Sequence, residues 1–312
     1  MIKNILLILL SVLVFVSCSA EIISPSSNSS INGGGGIVPT EEELIAKYGI
    51  DIGLEDSIIS RKIEENLKSY YEEMGSYRVI FTGTPKESYN NNISSLSFLT
   101  SEAAKKIQAL NVVIDIFNVD FTDGIIKRDM FADGNIPNET VILNFIFPEN
   151  KITTIETFAF NYLIALKEIS IPNSVITIEN DAFQYCSKLE KLILGNNVQT
   201  IGDSAFVYAE SLKELIIPES VTSIGMGAFA NSGIIQITLP ASLKTIGHYA
   251  FTTSPNLTTV IYYGTSPTTI NNNNAFLYCV NLKTLIVPNA DNPNDPAWKT
   301  FLGANFTTVT KQ

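Results

Sequence analysis

The sequence predicts a repeat solenoid of about 23-residue units with parallel β-strands stacked on one face, preceded by an α/β N-terminal capping region and closed by a C-terminal cap. Three recurrences carry this expectation. Phe160, Phe183, Phe206, Phe229, Phe251 and Phe276 follow one another at spacings of 23, 23, 23, 22 and 25 residues. Ile155, Ile178, Ile201, Ile224, Ile246 and Ile270 precede them five or six residues earlier. Short apolar runs end at Pro148, Pro172, Gly195, Pro218, Pro240, Tyr263 and Pro288, which gives at least six repeats and a partial seventh. One such unit cannot bury its own apolar side, so the units must stack.

The 312 residues are 45% hydrophobic and 16% charged, a composition that buries a substantial core. A net charge of -11 with no basic cluster argues against a phosphate-binding surface, so nucleic acid is not expected as a partner. Residues 1–17 read as a secretory signal: Lys3 supplies the positive region, Ile5 to Val16 the apolar run, and Ser17 a small residue before Cys18. The run is shorter than the roughly 20 residues a membrane-spanning helix needs. The junction Phe15-Val16-Ser17-Cys18 resembles those of bacterial lipoproteins, with Phe15 where that motif usually has Leu. The resemblance implies acylation of Cys18 and attachment to the membrane through that lipid. Residues 18–40, rich in Ser, Asn and Gly, have too little apolar surface to order themselves. They are expected to be a tether with a root-mean-square span of about 25 Å.

Residues 41–140 lack the 23-residue phase and are expected to form the α/β capping region. Thr40 before Glu41-Glu42-Glu43 reads as an N-cap with an acidic first turn. Asp56 to Met74 carries an apolar stripe at Ile59, Ile63, Leu67 and Tyr70. Strands are expected at Arg78 to Thr82 and Val112 to Phe117, on either side of a helix from about Ser101 to Leu110. Ile126 and Phe131 sit five apart like Ile155 and Phe160, so Val112 to Ala132 reads as a degenerate first repeat.

Residues 141–288 are the expected solenoid. Each unit opens with period-two apolar residues such as Leu215-Ile216-Ile217, ends its ladder at a residue such as Pro218, returns Val221 and Ile224 inward, and inserts Ala228 and Phe229. Gly202, Gly225 and Gly247 suggest a permissive backbone at the bend, although Glu156 and Glu179 fill the same position, so a positive φ there is not obligatory. The phrase from Leu166 to Cys186, Leu-x-x-Ile-x-Ile-Pro-x-x-Val-x-x-Ile-x-x-x-Ala-Phe-x-x-Cys, resembles the BspA-like, or Treponema-type, leucine-rich repeat. That resemblance covers about half the chain and implies a surface protein that adheres to host matrix, host cell or bacterial surface proteins. A structural, envelope-organising lipoprotein facing the periplasm is the alternative. Residues 289–312, with Trp298, Phe301 and a strand-like Phe306 to Val309, resemble the C-terminal cap of such arrays.

Chemistry is sparse. The single histidine, His248, follows Gly247 in a turn with no Ser, Cys or acid at triad spacing. Cys186 and Cys279 each lie three after an anchor Phe, where other repeats hold Ala209, Ser232 and Ser254, and read as small buried residues. Four repeats at about 4.8 Å separate them by about 19 Å, beyond the roughly 7 Å reach of a disulfide. Asp291-Asn292-Pro293-Asn294-Asp295 lacks the Gly and terminal Glu of a calcium loop, and Thr82-Gly83-Thr84-Pro85-Lys86 lacks the second Gly of a phosphate loop. No catalytic residue, metal or cofactor is therefore expected. Aligning the strands on their last residues puts Ile146, Ser170, Ile193, Ile216, Thr238, Ile261 and Ile286 at one outward position of an exposed, concave sheet. Glu168, Lys191, Glu214 and Gln236 form a polar rim. This row is the candidate surface for protein partners, although strand propensity alone also favours Ile there.

Overall fold

The computed structural model describes residues 38–90, 93–134, 141–270 and 274–311. The signal, Cys18 and most of the tether lie outside the described residues. The chain divides into two units, Met1–Lys47 and Tyr48–Gln312. The first helix, α1 (Glu41–Tyr48), begins with a reciprocal cap: Thr40 Oγ1 accepts the Glu43 N–H at 3.3 Å, and Glu43 Oε2 accepts the Thr40 N–H at 2.8 Å.

The second unit opens with β1 (Gly49–Asp51), α2 (Asp56–Met74), β2 (Arg78–Gly83), α3 (Leu96–Ile107) and β3 (Val112–Val119). Helix α2 has the expected limits and buries Ile59, Ile63, Leu67 and Tyr70, ending at Gly75 in the left-handed region (φ 70°). Helix α3 starts five residues before the expected Ser101 and ends three before Leu110. Its first turn supplies Leu96 and Leu99 to the core along with Ala103, an apolar stripe that begins before the polar segment from Ser101, and Gln108 at φ 57° stops it. The three strands run parallel in the order β1, β2, β3, and Ile142–Ile146 pairs with β3 as the fourth strand. Capping sheet and solenoid thus meet at one strand. Between β2 and β3, Arg78 forms an ion pair with Asp115, whose side chain is fully buried and whose Oδ1 also accepts the Phe117 N–H at 2.8 Å.

The repeats contribute longer strands and, from Ile125–Ile126 to Thr245–Ile246, a row of two-residue strands. The longer ones include Glu168–Ser170, Lys191–Ile193, Glu214–Ile216, Gln236–Leu239, Thr259–Tyr262 and Thr284–Ile286. The short ones, Ile125–Ile126, Thr154–Ile155, Thr177–Ile178, Thr200–Ile201, Ser223–Ile224 and Thr245–Ile246, form a six-stranded parallel sheet. Between the two rows the anchor phenylalanines are buried and stack face to face from Phe131 to Phe276. In the middle of the column ring centroids are 4.8–5.4 Å apart and planes within 5° of parallel. Ile126 and Phe131 occupy the same columns as Ile155 and Phe160.

The turn carrying each phenylalanine has no sheet, yet its backbone is satisfied. The Phe160, Phe183, Phe206 and Phe229 N–H groups donate to the Ala182, Ala205, Ala228 and Ala250 carbonyls of the next repeat at 2.7–2.8 Å. Two residues per turn adopt positive φ to present N–H groups along the stack, for example Asp181 and Tyr185, or Ser204 and Tyr208. The glycines at the bend have a different role from the one expected. Gly225 is not at positive φ; a Cβ there would lie 2.5 Å from the Asp203 backbone nitrogen of the preceding repeat. Close approach between units, not backbone freedom, therefore accounts for this glycine. Gly202 and Gly247 meet the preceding repeat in the same way.

At the C-terminal end a 3-10 segment, Pro296–Gly303, buries Trp298 and Phe301 against Tyr262, and Thr308–Thr310 adds a parallel strand beside Thr284–Ile286. Near the other end Asp133 is buried and accepts a hydrogen bond from Ser101 Oγ of α3 at 2.7 Å. Burial pushes its carboxyl up to about 7, against the opposing hydrogen bond from Ser101 and the charge of Lys105, with Glu102 adding to the rise. The folded state therefore favours the neutral acid, whereas the unfolded chain ionises near 3.8. The stability this carboxyl contributes is full below that value and is lost as pH rises through about 7. Thermal midpoints measured across this window should fall less steeply for Asp133→Asn than for the parent; equal slopes would show that Asp133 is not the titrating group.

Candidate binding surface

The strands place the predicted outward residues in register within two separate ladders, one through Ser170 and Ile193 and one from Ile216 to Ile286. Ser170 lies opposite Ile193, Ile216 opposite Thr238, Thr238 opposite Ile261, and Ile261 opposite Ile286. Inward neighbours such as Leu192, Leu194, Leu215 and Ile217 are buried, as a period-two strand with one wet face requires. Ile146 sits at the junction, opposite Asp115 of β3.

Exposure along this row is uneven. Ile193 is 47% and Ile216 70% exposed, whereas Ile146, Thr238, Ile261 and Ile286 are partly buried. The apolar strip expected over seven strands thus narrows to a patch on two neighbouring ones. The polar residues named with it lie beside it. Lys191, Glu214 and Gln236 are exposed, and Glu168, directly opposite Lys191, is partly buried with Oε1 accepting from Asn144 Nδ2 at 3.1 Å. Charges therefore alternate Glu168, Lys191, Glu214 beside the patch. The directly opposed Glu168 and Lys191 stabilise their ladder slightly, and the three charges offer a partner both signs.

Two features escaped the sequence reading. Ile235, 44% exposed, extends the apolar surface at the entry of its strand, in a column that Lys167, Glu190 and Lys213 occupy in other repeats. Tyr162, Tyr185 and Tyr208 stack at 4.6 Å along the turn side, each two residues after an anchor phenylalanine. That recurrence was present in the sequence and could have been found by extending the phase by two positions.

The remaining candidates for chemistry behave as packing or solvated residues. Cys186 and Cys279 are buried free thiols, with Sγ donating to the carbonyls of Phe160 at 3.5 Å and Phe251 at 3.0 Å. Burial pushes them up to about 12 and about 11, which suppresses thiolate reactivity. His248 is exposed in its turn.

Among solved structures, the chain is similar to a leucine-rich repeat protein from Bacteroides ovatus at 31% identity, covering 44% of this chain and 36% of that one, with a TM-score of 0.40. It is similar to the T. pallidum leucine-rich repeat protein at 18% identity, covering 64% and 85%, with a TM-score of 0.47. For the pneumococcal vaccine antigen PcpA the values are 16% identity, 74% and 52% coverage, and a TM-score of 0.45. No curated protein matches the sequence. The profile of the BspA type leucine rich repeat region matches six copies over residues 125–258 and 202–309, more than half of the chain. With its repeat columns, parallel strand rows and stacked phenylalanines, the chain belongs to the BspA-type leucine-rich repeat family.

Proposed function

We propose that the chain is a surface lipoprotein that uses the outer face of its longer strands to bind proteins of host or bacterial surfaces, in an adhesive role. The family is typically found at the cell surface and acts by binding, and no catalytic family is matched. The observation that carries the assignment to this face is the pair Ile193 and Ile216, apolar and exposed on adjacent strands beside the alternating charges of Glu168, Lys191 and Glu214. An apolar centre with a polar rim is the anatomy of a protein interface.

The test begins with capture of surface proteins by the immobilised chain and measurement of Kd for each. Ile193→Glu with Ile216→Glu should weaken binding about thirtyfold or more, while each exposed change moves stability by only about 0.5 kcal/mol or less. Binding equal to the parent would remove this face from the interface, and unfolding of the variant would show that the strand phase is wrong.

Anchoring is tested separately. No described helix is long and apolar enough to cross a membrane. Cells fed a labelled fatty acid should incorporate it into the parent chain and not into Cys18→Ala. Label retained by the variant, or absent from the parent, overturns acylation at Cys18.

A further inference from the structure

A shallow depression of about 440 Å³ lies on the capping region, where the loop from α2 to β2 meets the loop from α3 to β3. Its lining is Tyr71, Gly75, Ser76, Tyr77, Gln108, Leu110 and Asn111. Tyr71 and Tyr77 stack on each other at 4.5 Å with planes 15° apart. Tyr77 packs against the core, and Tyr71 is 47% exposed above it. Leu110 is 66% exposed, and among the described residues the side-chain amides of Gln108 and Asn111 make no hydrogen bond. The two loops are pinned together by the Val113 N–H, which donates to the Tyr77 carbonyl at 3.0 Å.

The chemistry of this lining selects its ligand. None of the seven residues is charged, in a chain of net charge -11. A phosphate, a carboxylate or a cation would find no counter-charge here. What the depression offers is one free aromatic face, one exposed aliphatic side chain, and amides and a hydroxyl that both donate and accept. A sugar ring has the complementary surfaces: a C–H face for the aromatic ring and a circumference of neutral hydroxyls for the amides. A proline-rich segment would instead need a slot between separated aromatic rings, and these two are closed on one another.

We propose that this depression binds a neutral saccharide, with a hexose ring laid on Tyr71 and its hydroxyls held by Gln108, Asn111 and Ser76. The site is independent of the sheet face assigned to protein partners. It would give the chain a second kind of contact, to neutral glycans.

The test is saturation-transfer NMR of the full chain with glucose, galactose, mannose and N-acetylglucosamine up to about 10 mM, a range that detects weak binding. Sialic acid and a proline-rich peptide serve as comparators. At least one neutral sugar should bind. Tyr71→Ala should weaken that sugar about tenfold or more with only a small fall in the thermal midpoint, from the lost stacking on Tyr77, and Tyr71→Trp should retain it. The Ile193→Glu with Ile216→Glu variant should bind sugar like the parent, which separates this outcome from failure of the protein-binding reading. Absence of binding by all four sugars, binding that survives Tyr71→Ala, or Tyr71-dependent binding of the peptide alone would overturn the proposal.

Discussion

Phe206→Ala should cost about 3–5 kcal/mol of stability in urea titrations, among the largest effects available to a single substitution in this chain. The ring is fully buried between Phe183 at 4.9 Å and Phe229 at 5.2 Å, with planes 2° and 1° from parallel. Its neighbours cannot close over the vacated space, because the backbone beside each ring is tied to the next repeat by its own hydrogen bond. The cavity therefore persists, and the large end of the range applies. Stability in a stack is a sum of unit and interface terms, so damage at one interface should also weaken the coupling between the repeats on either side. The expected signature is a lower midpoint with a broadened or divided transition. A loss under about 1 kcal/mol would show that the column repacks and is not held ring by ring.

The second large effect lies where the capping sheet joins the repeats. Arg78→Met should destabilise the chain by about 3 kcal/mol or more, because it strips the ion-pair partner from a fully buried carboxylate. Asp115 would keep the hydrogen bond from the Phe117 N–H. Replacing both members, Arg78→Met with Asp115→Leu, should recover much of the loss, since a paired charge and a well-packed apolar pair differ little in stability. Urea midpoints of the single and double variants measure this. A double variant no better than the single one would show that shape at the junction, rather than unpaired charge, sets the cost.

Much of the molecule was legible because its repeats compare with one another inside one chain. The Phe and Ile columns, the strand register and the inward side of each strand follow from a period long enough to fix phase. Helix α2 was equally legible, since Ile59, Ile63, Leu67 and Tyr70 keep one face. Helix α3 was placed too late because Leu96, Phe98 and Leu99 fall before the polar stretch that reads as its start. That the bend glycines need no positive φ was legible from Glu156 and Glu179, but their reason was not, because a sequence shows what a residue lacks and not which neighbour needs the space; the Asp203 backbone beside Gly225 is a fact of stacking. Exposure along the candidate row was beyond reach for a related reason. Ile193, Ile216, Ile261 and Ile286 are the same residue in the same phase, and only the assembled surface distinguishes the first two from the others. The depression at Tyr71 and Tyr77 joins two loops whose meeting no local pattern announces.

The phenylalanine column has a bearing on how such a protein changes over generations. Phe229 to Phe251 spans 22 residues and Phe251 to Phe276 spans 25, yet the ring separations are 5.4 and 5.2 Å. The stack thus absorbs small insertions outside the column and reads only the arrival of the next ring. A tandem duplication of one unit would reproduce both of its own interfaces at once, so the gene can gain or lose interior repeats without inventing new packing. The terminal blocks do not share that freedom. Arg78 with Asp115 at one end and Trp298 with Tyr262 and Phe301 at the other each occur once, and selection must preserve them while the array between them drifts in length.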